Sequence, residues 1–396
     1  MRHVRTQCES RRDVRSDGLV EPLESRTLMA AHGAMESLAA TSAPSSQPTV
    51  TKLVTGLPSG SGSTVGPNGN LFLTEGSAGR VLEVNPRTGA VSTFADGLPP
   101  WVIGEGAAMD VEFVGGTAYV LVTGVGPDLG GNSTVGIYRV DGPHSVSVVS
   151  DIGTWSIEHP PVPAFFIPTG YQYSLESYHG DLLVADGHHN RVLLVSLDNG
   201  DITEVMASDD IVPTGLAVKG DTVYLAQAGP IPHRPADGKV VSFRVGDHDA
   251  KLVASGAPLL VDVEFGRGNT LYALAQGPHT NPTEGSPSDP NGGTLVRANR
   301  DGTFTVVADK LDRPTSMEII GDTAYVVTLT GEVWKVANLS GTSRGHGGDD
   351  QRPDDQRPDD QRPDDHGRDS AAKVCNPFFD DRGDNGADRS HRGLFA

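Results

Sequence analysis

Asp186, His188 and His189 crowd one turn of the stretch 180–205, which otherwise alternates apolar strands with tight turns. A turn there needs only Ser, Asn or Gly, so a carboxylate and two imidazoles bring chemistry that the backbone does not require. Further carboxylates, Glu75, Asp110, Glu176 and Asp262, fall at the ends or starts of comparable strands. Converging carboxylates suit a hard cation such as Ca²⁺, which takes about six to eight oxygen ligands. Adjacent His188 and His189 suit a softer metal less well, because neighbours in an extended segment point opposite ways. For each of these residues the competing reading is a turn former or a hydrogen-bond partner of buried backbone. No cofactor is therefore certain, and Ca²⁺ or another divalent cation is the one expectation. No nucleophile elbow, H-E-x-x-H helix, phosphate loop or paired-cysteine motif occurs. The two cysteines, Cys8 and Cys375, both lie outside the 50–340 segment.

Those residues sit in a repeat. From residue 50 to 340 a unit recurs: a strand ending in a tight glycine turn, an apolar strand, a loop, a third strand, a second tight turn and a fourth strand of mixed polarity. Six copies can be read, among them 173–207 and 213–256. Short runs rich in Val, Leu and Tyr between Gly-Asp, Gly-Asn and Asn-Gly turns are what antiparallel hairpins require. Four strands in roughly 35 to 55 residues make a propeller blade. The expected fold is all-β, a six-bladed β-propeller of four-stranded antiparallel blades. Its sixth copy stops after three strands near Ser340, whereas a lone strand at 50–57 precedes the first copy. That lone strand is expected to complete the last blade and remove an exposed edge.

Let the strands of a blade run A to D from the channel outward. A–B and C–D turns then share one face, and B–C loops and D–A crossovers share the other. The A–B turns are uniformly tight, whereas long segments follow Thr123, Ala228 and Gln276 and fill the crossovers 98–108 and 152–170. Loops this long are uncommon unless they carry function. The expected binding face therefore holds Trp101, Glu105, Asp110, Trp155, His159, Phe165, Phe166, Asp186, His188, His189, His233, Arg234 and His279.

The repeats "VPTGLAVKGDTVYLAQAG" at 212–229 and "RPTSMEIIGDTAYVV" at 313–327 resemble the ScyD/ScyE family, propellers related to the NHL and gluconolactonase types. The resemblance covers about residues 50–340. It implies an exported six-bladed propeller, and through the lactonases it implies, as an alternative, a metal-dependent hydrolase with a channel cation held by carboxylates such as Asp186 and Glu75. Residues 21–31, "EPLESRTLMAA", are similar to the LEPR-XLL motif of planctomycete-type surface proteins, with Ser25 and Met29 departing from it. That likeness implies secretion or attachment to the cell envelope.

Three segments follow: a leader and linker at 1–49, the propeller at 50–340, and an acidic tail with three QRPDD repeats at 341–396 that is expected to be disordered. Net charge is −20, and the propeller segment carries 16 Lys and Arg against 32 Asp and Glu, or −16. That balance argues against nucleic acid as a partner. No apolar run approaches the ~20 residues of a membrane span. The expected protein is a monomer that binds a small molecule or an envelope protein through its long-loop face.

Overall fold

Strands arise here where branched and aromatic residues run between turns that only Gly or Asn accommodates easily. The run Leu71–Glu75 is buried throughout, and the turn before it closes on a bond from the Gly66 amide to the Asn70 carbonyl, with Gly69 at φ 77°. Such second strands pack on both faces and read as continuous apolar runs. Outer strands such as Val91–Ala95 are mostly exposed and mix polar with apolar residues.

A computed structural model of the chain describes residues 47–341 apart from Phe165, His248 and residues 282–286. The expected export motif and QRPDD tail lie outside the described residues. Within them, 24 strands form six antiparallel four-stranded sheets. The innermost strands are Ser63–Val65, Ala107–Val114, Gln172–Tyr178, Pro213–Lys219, Leu260–Phe265 and Pro314–Ile320. The sixth blade continues through Thr323–Thr328 and Val333–Ala337, and its outer strand is the N-terminal Thr49–Val54, with Lys52 opposite Trp334. The expected closure is thus observed, three residues shorter at its C-terminal end than the expected 50–57.

Six apolar clusters fill the six gaps between neighbouring blades. Phe72 and Val81 meet Val111 and Val120; Leu121 and Ile137 meet Leu182 and Val184; Tyr325 and Val327 of the last blade meet Leu71 and Leu73 of the first. Each fully buried aliphatic side chain contributes about 1.5–3 kcal/mol, so stability is spread around a ring in which every blade needs both neighbours.

The crossover 152–170, read from sequence as an irregular loop, begins with an α-helix, Ile152–Glu158. Asp151 caps it by accepting the Thr154 amide at 2.8 Å, and Pro160 and Pro161 prevent its extension. Among the described residues no helix is long and apolar enough to cross a membrane.

Candidate functional site

Asp186 ends the second strand of blade 3 and is fully buried. Opposite it across the hairpin stands Arg191, itself 1% exposed, whose Nε donates to Asp186 Oδ2 at 2.9 Å. The same guanidinium donates to the His159 carbonyl at 2.7 Å and to Ser156 Oγ at 2.9 Å, and it lies 4.8 Å from the Trp155 ring centre. Blade 1 repeats the pairing: buried Glu75 faces Arg80, which donates to it from Nε at 2.8 Å and Nη2 at 2.6 Å. Burial raises the pKa of Glu75, but bonds from Ser77, Arg80 and Ser59 outweigh it and hold the carboxyl below its usual range. Asp186 and Glu75 are therefore clamps that fasten the long-loop face to the blades, and their oxygens are already engaged.

Lower in the channel the innermost strands converge. Five of the six bulge near their start, and in four of them a glutamate, Glu112, Glu176, Glu264 or Glu318, follows two residues beyond the bulge. Asp110 and Asp262 sit at two of those bulges. Asp110 accepts the amides of Leu175 at 2.7 Å and Val111 at 2.8 Å; Asp262 accepts those of Met317 at 2.7 Å and Val263 at 2.8 Å. Each aspartate thus ties its blade to the next. Burial pushes Asp262 up to about 7 and drives Asp110, Glu176, Glu264 and Glu318 well above the usual carboxylate range. For the three glutamates, neighbouring acidic side chains add to the rise, which places the group within mutual electrostatic reach. Among the described residues no three His, Cys, Asp or Glu side chains form a group arranged to hold a metal ion. The expected set Glu75, Asp186, Asp110, Glu176 and Asp262 does not assemble, because arginines close the first two and backbone amides occupy Asp110 and Asp262.

These carboxyls bind protons more tightly in the ring than in the unfolded chain, where carboxyl pKa values are about 4. Their stabilisation is full below that value and is lost as pH rises through the folded pKa values. His188 and His233, whose burial lowers their pKa, oppose this trend only below about pH 6.5. The melting temperature is therefore expected to fall as pH rises from about 6.5 through the folded pKa of Asp262, about 7, and Glu264→Gln to reduce that fall, because it removes a carboxyl whose own pKa burial and Asp262 raise. A melting temperature that holds level or rises across this window contradicts the assignment.

At the channel mouth on the long-loop face, Tyr171 and Tyr173 lie with ring centres 5.5 Å apart. His188, half-buried, meets exposed Phe166 edge to face at 4.8 Å, and its amide donates to the Tyr171 carbonyl at 3.3 Å. His189 turns inward instead: it is 3% exposed and its Nε2 lies 3.0 Å from the Ile167 carbonyl. Burial, and then the neighbouring His189, push the pKa of His188 down to about 4. Glu105 is exposed, yet protein packed around its carboxyl pushes its pKa up.

Other expected residues of this face divide. Trp101 and Trp155 are half-buried and close apolar clusters rather than standing out as anchors. His159 stacks on Trp155 at 4.4 Å. His233 and His279, from the loops of blades 4 and 5, approach to 5.8 Å, and exposed Arg234 pairs with Asp237 at 3.1 Å. Phe165 lies outside the described residues. Sequence reasoning passed over Tyr171, Tyr173, Arg80, Arg191, Glu112, Glu264 and Glu318. Three signals were present: the acid-x4-Arg spacing at 75–80 and 186–191, "DVEF" at 110–113 and 262–265, and "S-x-E" at 174–176 and 316–318.

No protein-family model matches the sequence, and no curated protein matches it. Solved structures do match. A gluconolactonase from Xanthomonas campestris is 12% identical over 73% of this chain and 89% of its own, with a TM-score of 0.52. What the two share is the six-bladed β-propeller fold. An aldose sugar dehydrogenase from Streptomyces coelicolor, in its PQQ-bound form, is 13% identical over 74% of this chain and 98% of its own, with a TM-score of 0.51. A luciferin-regenerating enzyme gives 12%, 74%, 96% and 0.51. At such identities the likeness concerns architecture, and function has to be argued from the site.

Proposed function

We propose that this protein is an exported or envelope-associated propeller that binds a small molecule or a partner protein through its long-loop face. The carrying observation is where apolar surface is left uncovered. Of the eleven exposed large apolar side chains among the described residues, seven, Val102, Ile103, Ile157, Val162, Phe166, Tyr173 and Ile231, belong to this face or its channel mouth. The export part of the proposal draws on the motif at 21–31, and the ScyD/ScyE likeness agrees with it.

Hydrogen exchange with an envelope extract or a panel of sugars and lactones is expected to protect residues 124–134, 186–190 and 228–238 together. Protection of the turns around Asn68, Gly180, Gly220 and Gly321 instead would move the working surface to the opposite side.

A second reading, a lactonase-like hydrolase, is favoured by the mutually repelling channel carboxylates. Its cation would need ligands from Glu112, Glu176, Glu264 and Glu318, since Glu75 and Asp186 are engaged, and no group of three is arranged for a metal among the described residues. Turnover of a lactone by the chain with added Ca²⁺, abolished by chelator, would favour this reading over binding alone.

A further inference from the structure

We infer that the channel mouth beside Glu105 receives the primary ammonium group of a small organic amine; this rests on the reading that the long-loop face binds ligands.

The first observation is a hydroxyl without a partner. Tyr171 is 7% exposed, and among the described residues its Oη has no hydrogen-bond partner. The crossover from blade 1 drapes over it so closely that a Cβ on Gly106, at φ 79°, would stand 2.8 Å from that oxygen. Leaving such a group unsatisfied carries the desolvation penalty of an unpaired polar atom. A donor brought by a ligand recovers that loss.

The second observation is the sign of the surrounding charge. Glu105 precedes Gly106 and is exposed, and its charge raises the pKa of both Tyr171 and Tyr173, so its carboxyl reaches both hydroxyls electrostatically. Among the described residues no salt bridge to Glu105 is formed. Arg191 is buried in its own network, and His188 is neutral near physiological pH. Below the mouth lie the six channel carboxyls, which burial holds toward their protonated forms, so the charge at the mouth is that of Glu105.

The third observation is the wall. The Tyr173 ring covers Gly187, where an added Cβ would come within 2.3 Å of it, and Tyr173 and Phe166 remain 37% and 54% exposed. Aromatic faces around a carboxylate favour a cation attached to an aliphatic body. An anion would be repelled, and a neutral polyol would leave the charge unused. A primary ammonium supplies N–H donors to Tyr171 Oη and to Glu105 together, which a quaternary ammonium does not.

The test is calorimetry of the full chain near neutral pH with butylammonium chloride, 1-butanol and a neutral sugar lactone. Butylammonium is expected to bind, with butanol at least about tenfold weaker, the scale of one lost charge-assisted bond. Glu105→Gln, a change at an exposed position, should weaken the amine by about tenfold. Tyr171→Phe should weaken it severalfold while leaving the free protein's melting temperature unchanged or higher, because an unsatisfied hydroxyl has been removed. Equal binding of butanol, or an amine affinity untouched by Glu105→Gln, overturns the inference. Binding of the lactone with no binding of the amine overturns it but leaves the long-loop face as a binding surface. If none of the three binds and the envelope extract protects nothing on that face, both fall.

Discussion

A chain beginning at Leu57 is expected to lose the cooperative melting of the full ring. The strand Thr49–Val54 supplies the outer edge of blade 6, with Thr49 opposite Ala337 and Val54 opposite Val333. Val54 is buried, and Val50 and Leu53 pack on the clusters that join blade 6 to blades 5 and 1. Lys52 adds a 2.7 Å ion pair to Glu332 and lies 4.7 Å from the centre of the Trp334 ring; both are partly exposed, so their share is small. Three apolar side chains at about 1–3 kcal/mol each and a ladder of backbone bonds at ~1 kcal/mol each sum to roughly 5–10 kcal/mol. That equals most of the net stability of an ordinary domain, about 5–15 kcal/mol. Deletion would also bare the edge of Val333–Ala337 and invite association. Calorimetry of the shortened chain checks this: a transition as sharp and as high as that of the full chain would mean that the ring does not depend on its closing strand.

Arg191→Ala is expected to cost about 3–5 kcal/mol, the usual penalty for stranding a buried charge. Asp186 would keep only Gln172 Nε2 at 3.1 Å and His189 Nδ1 at 3.2 Å in a place where it has no access to solvent. The His159 carbonyl and Ser156 Oγ would lose their donor as well, so the helix Ile152–Glu158 should loosen from the blade. Lysine should not rescue the change, because one ammonium cannot reproduce the planar fork that reaches Asp186, His159 and Ser156 at once. Arg80→Ala makes the control: its side chain is 31% exposed, and Glu75 would keep Ser59 and Ser77. Denaturant melts and hydrogen exchange over residues 152–159 compare the two variants. Equal, small losses would show that burial of Arg191 does not set the cost.

The carboxylates marked out in the sequence illustrate what spacing can and cannot decide. Strand ends near Glu75 and Asp186 were legible, and so was the face on which they lie. Their partners, Arg80 and Arg191, stand only five residues away, but which oxygen meets which nitrogen depends on hairpin register, and register is set by packing of the second strand on both faces. Arg191 and Arg80 share that register yet differ in exposure, because the crossover of blade 2 covers one and not the other. Sequence reading could not weigh them apart.

The sequence by itself determined the number of blades, the lone strand that completes the ring, and the division into a side of tight turns and a side of long loops. These follow from local rules: period-two apolar runs, turn chemistry and segment length, all of which are counted along the chain. Only the tertiary structure decided what the chemistry-bearing side chains do. Closing the ring buries Trp101 and Trp155 as lids, turns Asp186 and Glu75 into clamps, sets Glu112, Glu176, Glu264 and Glu318 against one another, and leaves the Tyr171 hydroxyl beside Glu105 without a donor. Those roles depend on distances between residues tens to hundreds of positions apart, and such distances exist only once the six blades have packed.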